Sequence, residues 1–220
     1  MISKESKIKE NIFLLILGFV VLVFVPGFDF LQQNIVSAST GLTEYEKEAP
    51  SLIIAEDTKA REDFYSLALT FNASLDIEQA EQIYDAVDKY STYFGLPREL
   101  VLAVIVAESR FNPYCDGSLD EIGLMQIRYR YANAWAGGLG RPAFNGPEEL
   151  YEIDANIQLG SYILFYYLDK YEGDLTRGLV AYNAGETYVD NRLAAGQPLP
   201  QSYVEKIRRL SAEMAAKELF

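Results

Sequence analysis

The spacing of apolar residues predicts a mainly α-helical protein. Apolar positions recur at intervals of three and four residues along much of the chain, and no strong alternating pattern of the kind that marks β-strands is present. The clearest helix begins after Asp76, which can form a capping box with Gln79, and ends at Gly95, a residue suited to closing a helix. Between the two ends the apolar side chains share one face: Ile77, Ala80, Ile83, Tyr84, Val87 and Tyr90.

The same reasoning predicts further helices and one long loop. Helices are expected at about Asp154–Tyr171, Leu175–Asn183 and Ser202–Glu218. Asn133–Pro147 contains four glycines and two prolines, so we expect a loop there. An amphipathic helix is also expected over Glu56–Phe71, with an apolar face formed by Phe64, Leu67, Ala68 and Phe71.

One predicted helix carries a carboxylate at its end. Pro97 suits the first helical position, because a proline there loses no hydrogen bond. Pro113 pushes Asn112 out of the α region, so the helix should stop near Phe111. Most of the residues between Pro97 and Phe111 are apolar, so the helix is apolar on nearly every side, which predicts that it is buried. Glu108 therefore lies in the last turn, on the side of Leu100, Val101, Val104 and Ile105.

Glu108 is the candidate catalytic residue. Desolvation and the negative end of the helix dipole both disfavour its ionised form, so its pKa should be raised. A carboxyl group that stays protonated near neutral pH can act as a general acid. The alternative is a solvated surface glutamate, since acidic residues are rarely buried without a partner.

Composition excludes several kinds of chemistry. The chain of 220 residues has no His, which removes Ser/His and Cys/His catalytic pairs and the commonest zinc ligand. Cys115 is the only cysteine, and we interpret it as structural or incidental. The net charge of −13 argues against nucleic acid as a partner. No phosphate-binding glycine motif is present, so we expect neither a cofactor nor a metal.

The amino terminus has the pattern of an export signal. Lys4, Lys7 and Lys9 precede an uncharged apolar stretch, residues 11–28, which predicts a cytoplasmic amino terminus and an exported remainder on the periplasmic or cell-wall side. Residues 1–38 are therefore expected to be a signal-anchor in the cytoplasmic membrane or a signal peptide. Both alternatives remain open, because Ala38 ends a small-residue cleavage motif that lies unusually far from the apolar stretch.

Several short motifs resemble those of a known family. Glu108–Pro113 (ESRFNP), Gly123–Gln126 (GLMQ) and Ala181–Gly185 (AYNAG) occur in the order found in bacterial soluble-type lytic transglycosylases. Asn156–Tyr162 (NIQLGSY) resembles that family's Asn-Ile-x-x-Gly-x-x-Tyr helix, and Tyr203–Ile207 (YVEKI) resembles its closing Tyr-Val-x-Lys segment. These enzymes belong to the lysozyme-like superfamily, alongside goose-type lysozyme.

The resemblance covers about residues 76–210 and implies a domain plan and an activity. We place the lysozyme-like catalytic domain at residues 76–220, after a linker and N-terminal helical extension at residues 39–75. The implied substrate is the glycan strand of peptidoglycan. The implied reaction cleaves the bond between N-acetylmuramic acid and N-acetylglucosamine and forms a 1,6-anhydro product.

The resemblance also implies roles for individual residues. Glu108 would be the sole general acid and base, and Tyr203 would orient it through a phenol hydrogen bond. Gln126 has an alternative role as a cap for local backbone, while Tyr182 and Tyr203 are almost equally well explained by core packing. The residues expected at the substrate are Ser109, Gln126, Tyr182, Asn183 and Tyr203.

The chain departs from the family pattern at three places. The approach to Leu-Met-Gln is often Ser-x-x-Gly-Ala-x-Gly, but here residues 116–123 read Asp-Gly-Ser-Leu-Asp-Glu-Ile-Gly. A Met-Pro commonly follows that Gln, but here residues 127–130 read Ile-Arg-Tyr-Arg, and Leu199-Pro200 replaces a usual Glu-Thr pair. The changed segment contains three acidic residues, Asp116, Asp120 and Glu121. We expect their side chains to be solvated, although each is a candidate for a second catalytic carboxylate.

Two other functions are compatible with the sequence. A hydrolytic muramidase would use the same Glu108 to activate water. An inactive, membrane-tethered scaffold that binds peptidoglycan would need the fold without the chemistry. The intact Glu108 argues against the scaffold.

Overall fold

The computed structural model describes residues 57–217 and 219. The predicted signal or anchor at residues 1–38 and the linker up to Ser51 lie outside the described residues. None of the helices in the described part is long and apolar enough to cross a membrane.

The described residues form a mainly α-helical domain, as the apolar spacing predicts. Eight helices are seen among them, with a two-stranded sheet and a short 3₁₀-helix at Pro147–Tyr151. The helices are α1 (residues 57–71), α2 (Ile77–Phe94), α3 (Arg98–Glu108), α4 (Tyr129–Leu139), α5 (Ile153–Lys170), α6 (Leu175–Ala184), α7 (Glu186–Ala194) and α8 (Ser202–Ala215). The strands are β1 (Glu121–Ile122) and β2 (Ile127–Arg128).

Helix α2 begins and ends as the sequence predicts. Asp76 Oδ1 accepts a hydrogen bond from the backbone N–H of Gln79, whose side chain accepts one from the backbone N–H of Asp76. Gly95 closes the helix in the left-handed conformation, with φ of 66°. The apolar face begins at Ala80, because Ile77 in the first turn is 60% exposed.

Helix α3 lies at the centre of the core. Its residues Leu100–Val106 are all buried, and it packs mainly against α8 and also against α2. The helix ends at Glu108, three residues before the predicted stop, because Arg110 and Phe111 adopt positive φ angles of 55° and 60°. The Phe111 ring is fully buried and packs edge-on against Phe64 of α1, so burial offsets this strained turn. Glu108 is thus the last helical residue.

The loop prediction for Asn133–Pro147 is wrong over its first half. Helix α4 continues to Leu139, and Gly140 closes it with φ of 75°. Gly137 and Gly138 each cost about 1 kcal/mol relative to Ala within a helix. Burial of Ala132 and Ala136, together with packing of Trp135 against Tyr rings of α5, outweighs that cost.

A short hairpin carries the turn that resembles the family's Leu-Met-Gln segment. Strands β1 and β2 pair antiparallel, with Glu121 opposite Arg128 and Ile122 opposite Ile127. Strands of two residues are too short to give an alternating pattern, which explains why the sequence does not predict them. Helix α7 also escapes prediction, because Val189 is its only buried residue.

Candidate active site

The candidate site is a cleft of about 840 Å³ around the end of α3. Its walls come from the end of α3, the β1–β2 hairpin, helix α4 and the junction of α6 with α7. Of the predicted catalytic and substrate-binding residues, four line this cleft: Glu108, Gln126, Tyr182 and Asn183.

Glu108 lies at the cleft with its carboxyl group largely removed from water. Burial raises the pKa of this carboxyl group above its usual range. A hydrogen bond from Tyr203 and the positive charge of Lys206 act in the opposite direction, whereas the negative charge of Glu121 adds to the rise. Because burial dominates, the protonated form of Glu108 is favoured to a higher pH than in a solvated glutamate.

Helix α8 supplies two groups that hold the end of α3. Tyr203 Oη lies 2.6 Å from Glu108 Oε1, which is the contact that the resemblance leads us to expect. Lys206 Nζ donates to the carbonyl oxygen of Ala107 at 2.8 Å. Tyr203 itself is partly buried, and desolvation together with the nearby Glu108 raises the pKa of its phenol well above its usual value. The phenol therefore remains a hydrogen-bond donor to the carboxylate.

Tyr182 anchors the Leu-Met-Gln turn from helix α6. Its hydroxyl donates to the carbonyl oxygen of Met125 at 2.9 Å, and burial raises the pKa of the phenol well above 10. The hydroxyl is therefore committed to the protein, and the ring forms part of the cleft wall. The next residue, Asn183, is exposed at the cleft, where its amide is accessible to a ligand.

Gln126 lies in the cleft with half of its amide already used. Its Nε2 donates to the carbonyl oxygens of Cys115 and Gly123, both at 3.0 Å. These bonds are the local backbone cap that the sequence leaves open as an alternative. The Oε1 atom remains as the acceptor through which Gln126 can meet a ligand.

Ser109 does not have the position that the resemblance implies. It is buried, with 6% of its surface exposed, and its hydroxyl donates to the carbonyl oxygen of Ile105 at 3.1 Å. The side chain therefore turns back onto its own helix rather than into the cleft, because the chain reverses sharply immediately after Glu108. Ser109 does not line the cleft, and its hydrogen bond instead supports the end of the helix that carries Glu108.

Asn156 is a site-supporting residue that sequence reasoning names only as part of a motif. It is 1% exposed on α5, and its Oδ1 accepts from the backbone N–H of Met125 at 2.8 Å. Its Nδ2 donates to the carbonyl oxygens of Ile122 and Leu150 at 2.9 and 2.7 Å. One side chain thus fixes both sides of the turn, and a Cβ on Gly123 would lie only 2.3 Å from it.

The three acids before and within the hairpin have different positions. Asp116 accepts from the Tyr151 hydroxyl at 2.6 Å, and Asp120 pairs with Arg130 at 3.0 Å. Glu121 is the one of the three that lines the cleft with Glu108. The expectation that all three are solvated is therefore wrong for Glu121, whose side chain is 18% exposed.

The Cys115 thiol does not line the cleft. The thiol is partly buried, and burial raises its pKa, so it has no sign of activation. No group of three or more His, Cys, Asp or Glu side chains within residues 57–217 and 219 is arranged to hold a metal ion.

Comparison with known proteins places this cleft in a family. The profile of the transglycosylase SLT domain matches residues 85–202, more than half of the chain. The chain belongs to the transglycosylase SLT domain family. The soluble lytic murein transglycosylase of Escherichia coli (strain K12) is 27% identical to this SLT domain over 127 residues, covering 56% of the chain and 19% of the relative.

Two further comparisons extend this result. The membrane-bound lytic murein transglycosylase C of Actinobacillus pleuropneumoniae is 31% identical over 117 residues, covering 49% of this chain and 32% of the relative. The crystal structure of an inactive mutant of the lytic transglycosylase Slt of Pseudomonas aeruginosa superposes with a TM-score of 0.56 at 21% identity, covering 61% of this chain and 24% of that one. The fold is thus that of lytic transglycosylases, and the chain spans a third or less of these relatives.

The Tyr203 hydrogen bond gives a first prediction about the acidity of Glu108. Replacing Tyr203 by Phe removes a bond that favours the ionised carboxylate, so the pKa of Glu108 should rise further. Carbon-detected NMR titration of the Glu108 carboxyl group measures this pKa without any substrate. Tyr171→Phe is the matched control, because that phenol donates to Asp190 at 2.9 Å outside the cleft and its loss should leave Glu108 unchanged. A lower or unaltered pKa in Tyr203→Phe would contradict the geometry.

Proposed function

We propose that this SLT domain cleaves peptidoglycan glycan strands by non-hydrolytic transglycosylation, with Glu108 as the sole general acid and base. One observation carries the proposal: a carboxyl group whose pKa is raised by burial projects into a cleft and receives a hydrogen bond from Tyr203. Membership of the transglycosylase family and its murein-cleaving relatives support the choice of substrate.

The reaction begins with proton transfer from Glu108 to the glycosidic oxygen between N-acetylmuramic acid and N-acetylglucosamine. The bond from the muramoyl anomeric carbon to that oxygen breaks, and its electron pair stays with the departing N-acetylglucosamine. The ionised Glu108 then takes the proton of the muramoyl 6-hydroxyl, whose oxygen bonds to the anomeric carbon. Because the nucleophile belongs to the substrate, its high effective concentration replaces a protein nucleophile.

Glu108 must serve this reaction in both protonation states. Its buried position favours the acid before cleavage, while Tyr203 and Lys206 stabilise the carboxylate that forms afterwards. The substrate contacts that we assign to the cleft are Gln126 Oε1, the Asn183 amide and the face of Tyr182. Two rings of α4 at the cleft, Tyr131 and Trp135, offer surfaces on which sugar rings can stack.

Mass spectrometry of digested sacculi distinguishes this function from its rivals. Transglycosylation should release anhydro-muropeptides, which weigh one water less than the products of hydrolysis. Hydrolytic products alone would show a muramidase. If the folded protein binds sacculi but releases no muropeptide, it is an inactive scaffold.

We also propose that the domain acts outside the cytoplasm, where peptidoglycan lies. This proposal rests on the positive flank and apolar stretch of residues 1–38, which also make the cytoplasmic membrane a partner if the segment is retained.

Cell fractionation with a carboxyl-terminal tag tests the proposed topology. The tag should be digested by protease added to spheroplasts whose cytoplasmic membrane is intact, because Lys4, Lys7 and Lys9 hold the amino terminus inside and leave the carboxyl terminus outside. Membrane association and an intact amino terminus would show the anchor, while a mature protein that begins at Ser39 would show cleavage. Tagged protein found soluble in the cytoplasm would refute export.

A further inference from the structure

Glu121 and Arg128 form an ion pair at the cleft, and both depart from the family pattern. They face each other in the β1–β2 register, and Arg128 Nε lies 3.0 Å from Glu121 Oε1. Glu121 lies in the segment that approaches Leu-Met-Gln, and Arg128 lies in the segment that follows it; both segments differ from the family pattern. Both side chains line the cleft that contains Glu108.

The Glu121 carboxylate is fixed at both oxygens. In addition to the Arg128 contact at Oε1, Oε2 accepts from the backbone N–H of Leu119 at 2.7 Å. Burial acts to raise the pKa of Glu121, but the backbone N–H groups of Leu119 and of Glu121 itself, together with Arg128, outweigh it and lower the pKa. There is therefore a pH range in which Glu121 is ionised while Glu108 is protonated.

Gly117 provides the space for this carboxylate. A Cβ at position 117 would lie 2.5 Å from Glu121 Oε2 and 2.8 Å from Gln126 Oε1. The absence of a side chain at Gly117 thus leaves room for the Glu121 carboxylate and for the Gln126 amide oxygen.

The charges around the cleft leave Glu121 as the negative group that acts on Glu108. Glu121 adds to the rise in the pKa of Glu108, whereas Lys206 of α8 lowers it. Glu186 of α7 also lines the cleft and pairs with Lys170 at 2.7 Å, as Glu121 pairs with Arg128, but only Glu121 is among the groups that shift the pKa of Glu108. The acid of the reaction and the Glu121 carboxylate therefore share one cleft in two different charge states.

Taking the proposed function as given, we propose that Glu121 is a second carboxylate of this active site, which stays ionised through turnover and stabilises the positive charge that develops on the muramoyl ring. Cleavage of a glycosidic bond passes through an oxocarbenium-like state. A fixed charge directed at that state stabilises it more than the ground state and needs no reorganisation. Glu121 forms no bond to the sugar and transfers no proton, so the proton steps of Glu108 are unchanged.

Steady-state kinetics on purified glycan strands across pH test this role. Wild-type activity should fall at high pH as Glu108 loses its proton, and at low pH as Glu121 gains one. Glu121→Gln keeps the shape and the hydrogen-bond acceptor of the side chain but removes its charge. This variant should have a kcat about 100-fold lower than wild type, with little change in KM. Its pH–rate profile should lack the fall at low pH, and its fall at high pH should occur at a lower pH than in wild type.

A second variant tests the charge without touching the carboxylate. Arg128→Gln removes the guanidinium that lowers the pKa of Glu121, so the low-pH limb should move to higher pH. Asp120→Asn is the matched control, because Asp120 pairs with Arg130 at 3.0 Å on the same hairpin but outside the cleft. This control should keep the wild-type kcat and pH profile.

The outcomes separate this inference from the proposed function. Suppose that Glu121→Gln keeps the wild-type kcat and pH profile while Glu108→Gln shows no turnover. That result would overturn the role of Glu121 as a second carboxylate and leave the proposed function intact. An equal loss in Glu121→Gln and Asp120→Asn would show a structural effect of the hairpin and would also overturn it. Failure of the wild-type protein to cleave glycan strands would overturn both.

Discussion

Replacing Glu108 by Gln should abolish turnover of peptidoglycan while the protein remains folded. The amide is nearly isosteric with the carboxyl group and still accepts the hydrogen bond from Tyr203, but it cannot deliver a proton to the leaving oxygen. General acid–base catalysis is worth about 10²- to 10⁴-fold, and here one group serves in both directions. Release of muropeptides from purified sacculi measures the loss.

The same variant makes a prediction about stability. The pKa of Glu108 is higher in the folded protein than in the unfolded chain. The free energy of unfolding of the wild type should therefore fall as the pH rises from the ordinary pKa of a glutamate to the raised pKa of Glu108. Gln cannot ionise, so Glu108→Gln should unfold at a higher temperature than wild type at neutral pH. Glu213→Gln, at an exposed pair with Arg209, is the control and should alter neither activity nor stability. Near wild-type turnover in Glu108→Gln would refute its assignment as the acid.

Replacing Asn156 by Ala should cause the largest loss of stability among the site variants. The change leaves a buried N–H of Met125 and the carbonyl oxygens of Ile122 and Leu150 without their partner. Each of these three unsatisfied groups costs about 1–3 kcal/mol, so the free energy of unfolding should fall by about 3 kcal/mol or more. Urea denaturation followed by circular dichroism measures it.

Activity should fall with it, because Asn156 fixes the turn that carries Gln126 and that receives the Tyr182 hydroxyl through Met125. Asn191→Ala on α7 is the matched control, since that side chain is exposed and its truncation should change stability by no more than about 0.5 kcal/mol. A loss in Asn156→Ala no larger than in Asn191→Ala would show that the turn does not depend on this residue.

The helices that pack into the core are predictable from the sequence, while the elements with little buried surface are not. The caps at Asp76 and Gly95 act through neighbouring residues, so local sequence determines them. Helix α4 is mispredicted because the glycine signal is local, whereas the burial of Ala132 and Ala136 depends on a distant helix. The end of α3 likewise depends on Phe111 reaching Phe64 across the core.

The candidate site is predictable only in part for the same reason. Glu108 is a candidate from its own helix, since an apolar surrounding and a terminal position are local features, but the motifs elsewhere in the chain are needed to prefer it over a solvated surface glutamate. The contact of Tyr203 with Glu108 spans 95 residues of sequence, and only the family resemblance leads to it. Ser109 and Glu121 are misjudged because sequence spacing does not reveal which side of a sharp turn faces the cleft.

Digestion of sacculi in water enriched in heavy oxygen tests the central claim most directly. Intramolecular attack by the muramoyl 6-hydroxyl brings no solvent oxygen into the product. The account therefore predicts muropeptides that carry no heavy oxygen and lack one water, and none from Glu108→Gln. Products that carry one heavy oxygen at the muramoyl end would mean that water is the nucleophile, and would contradict the account.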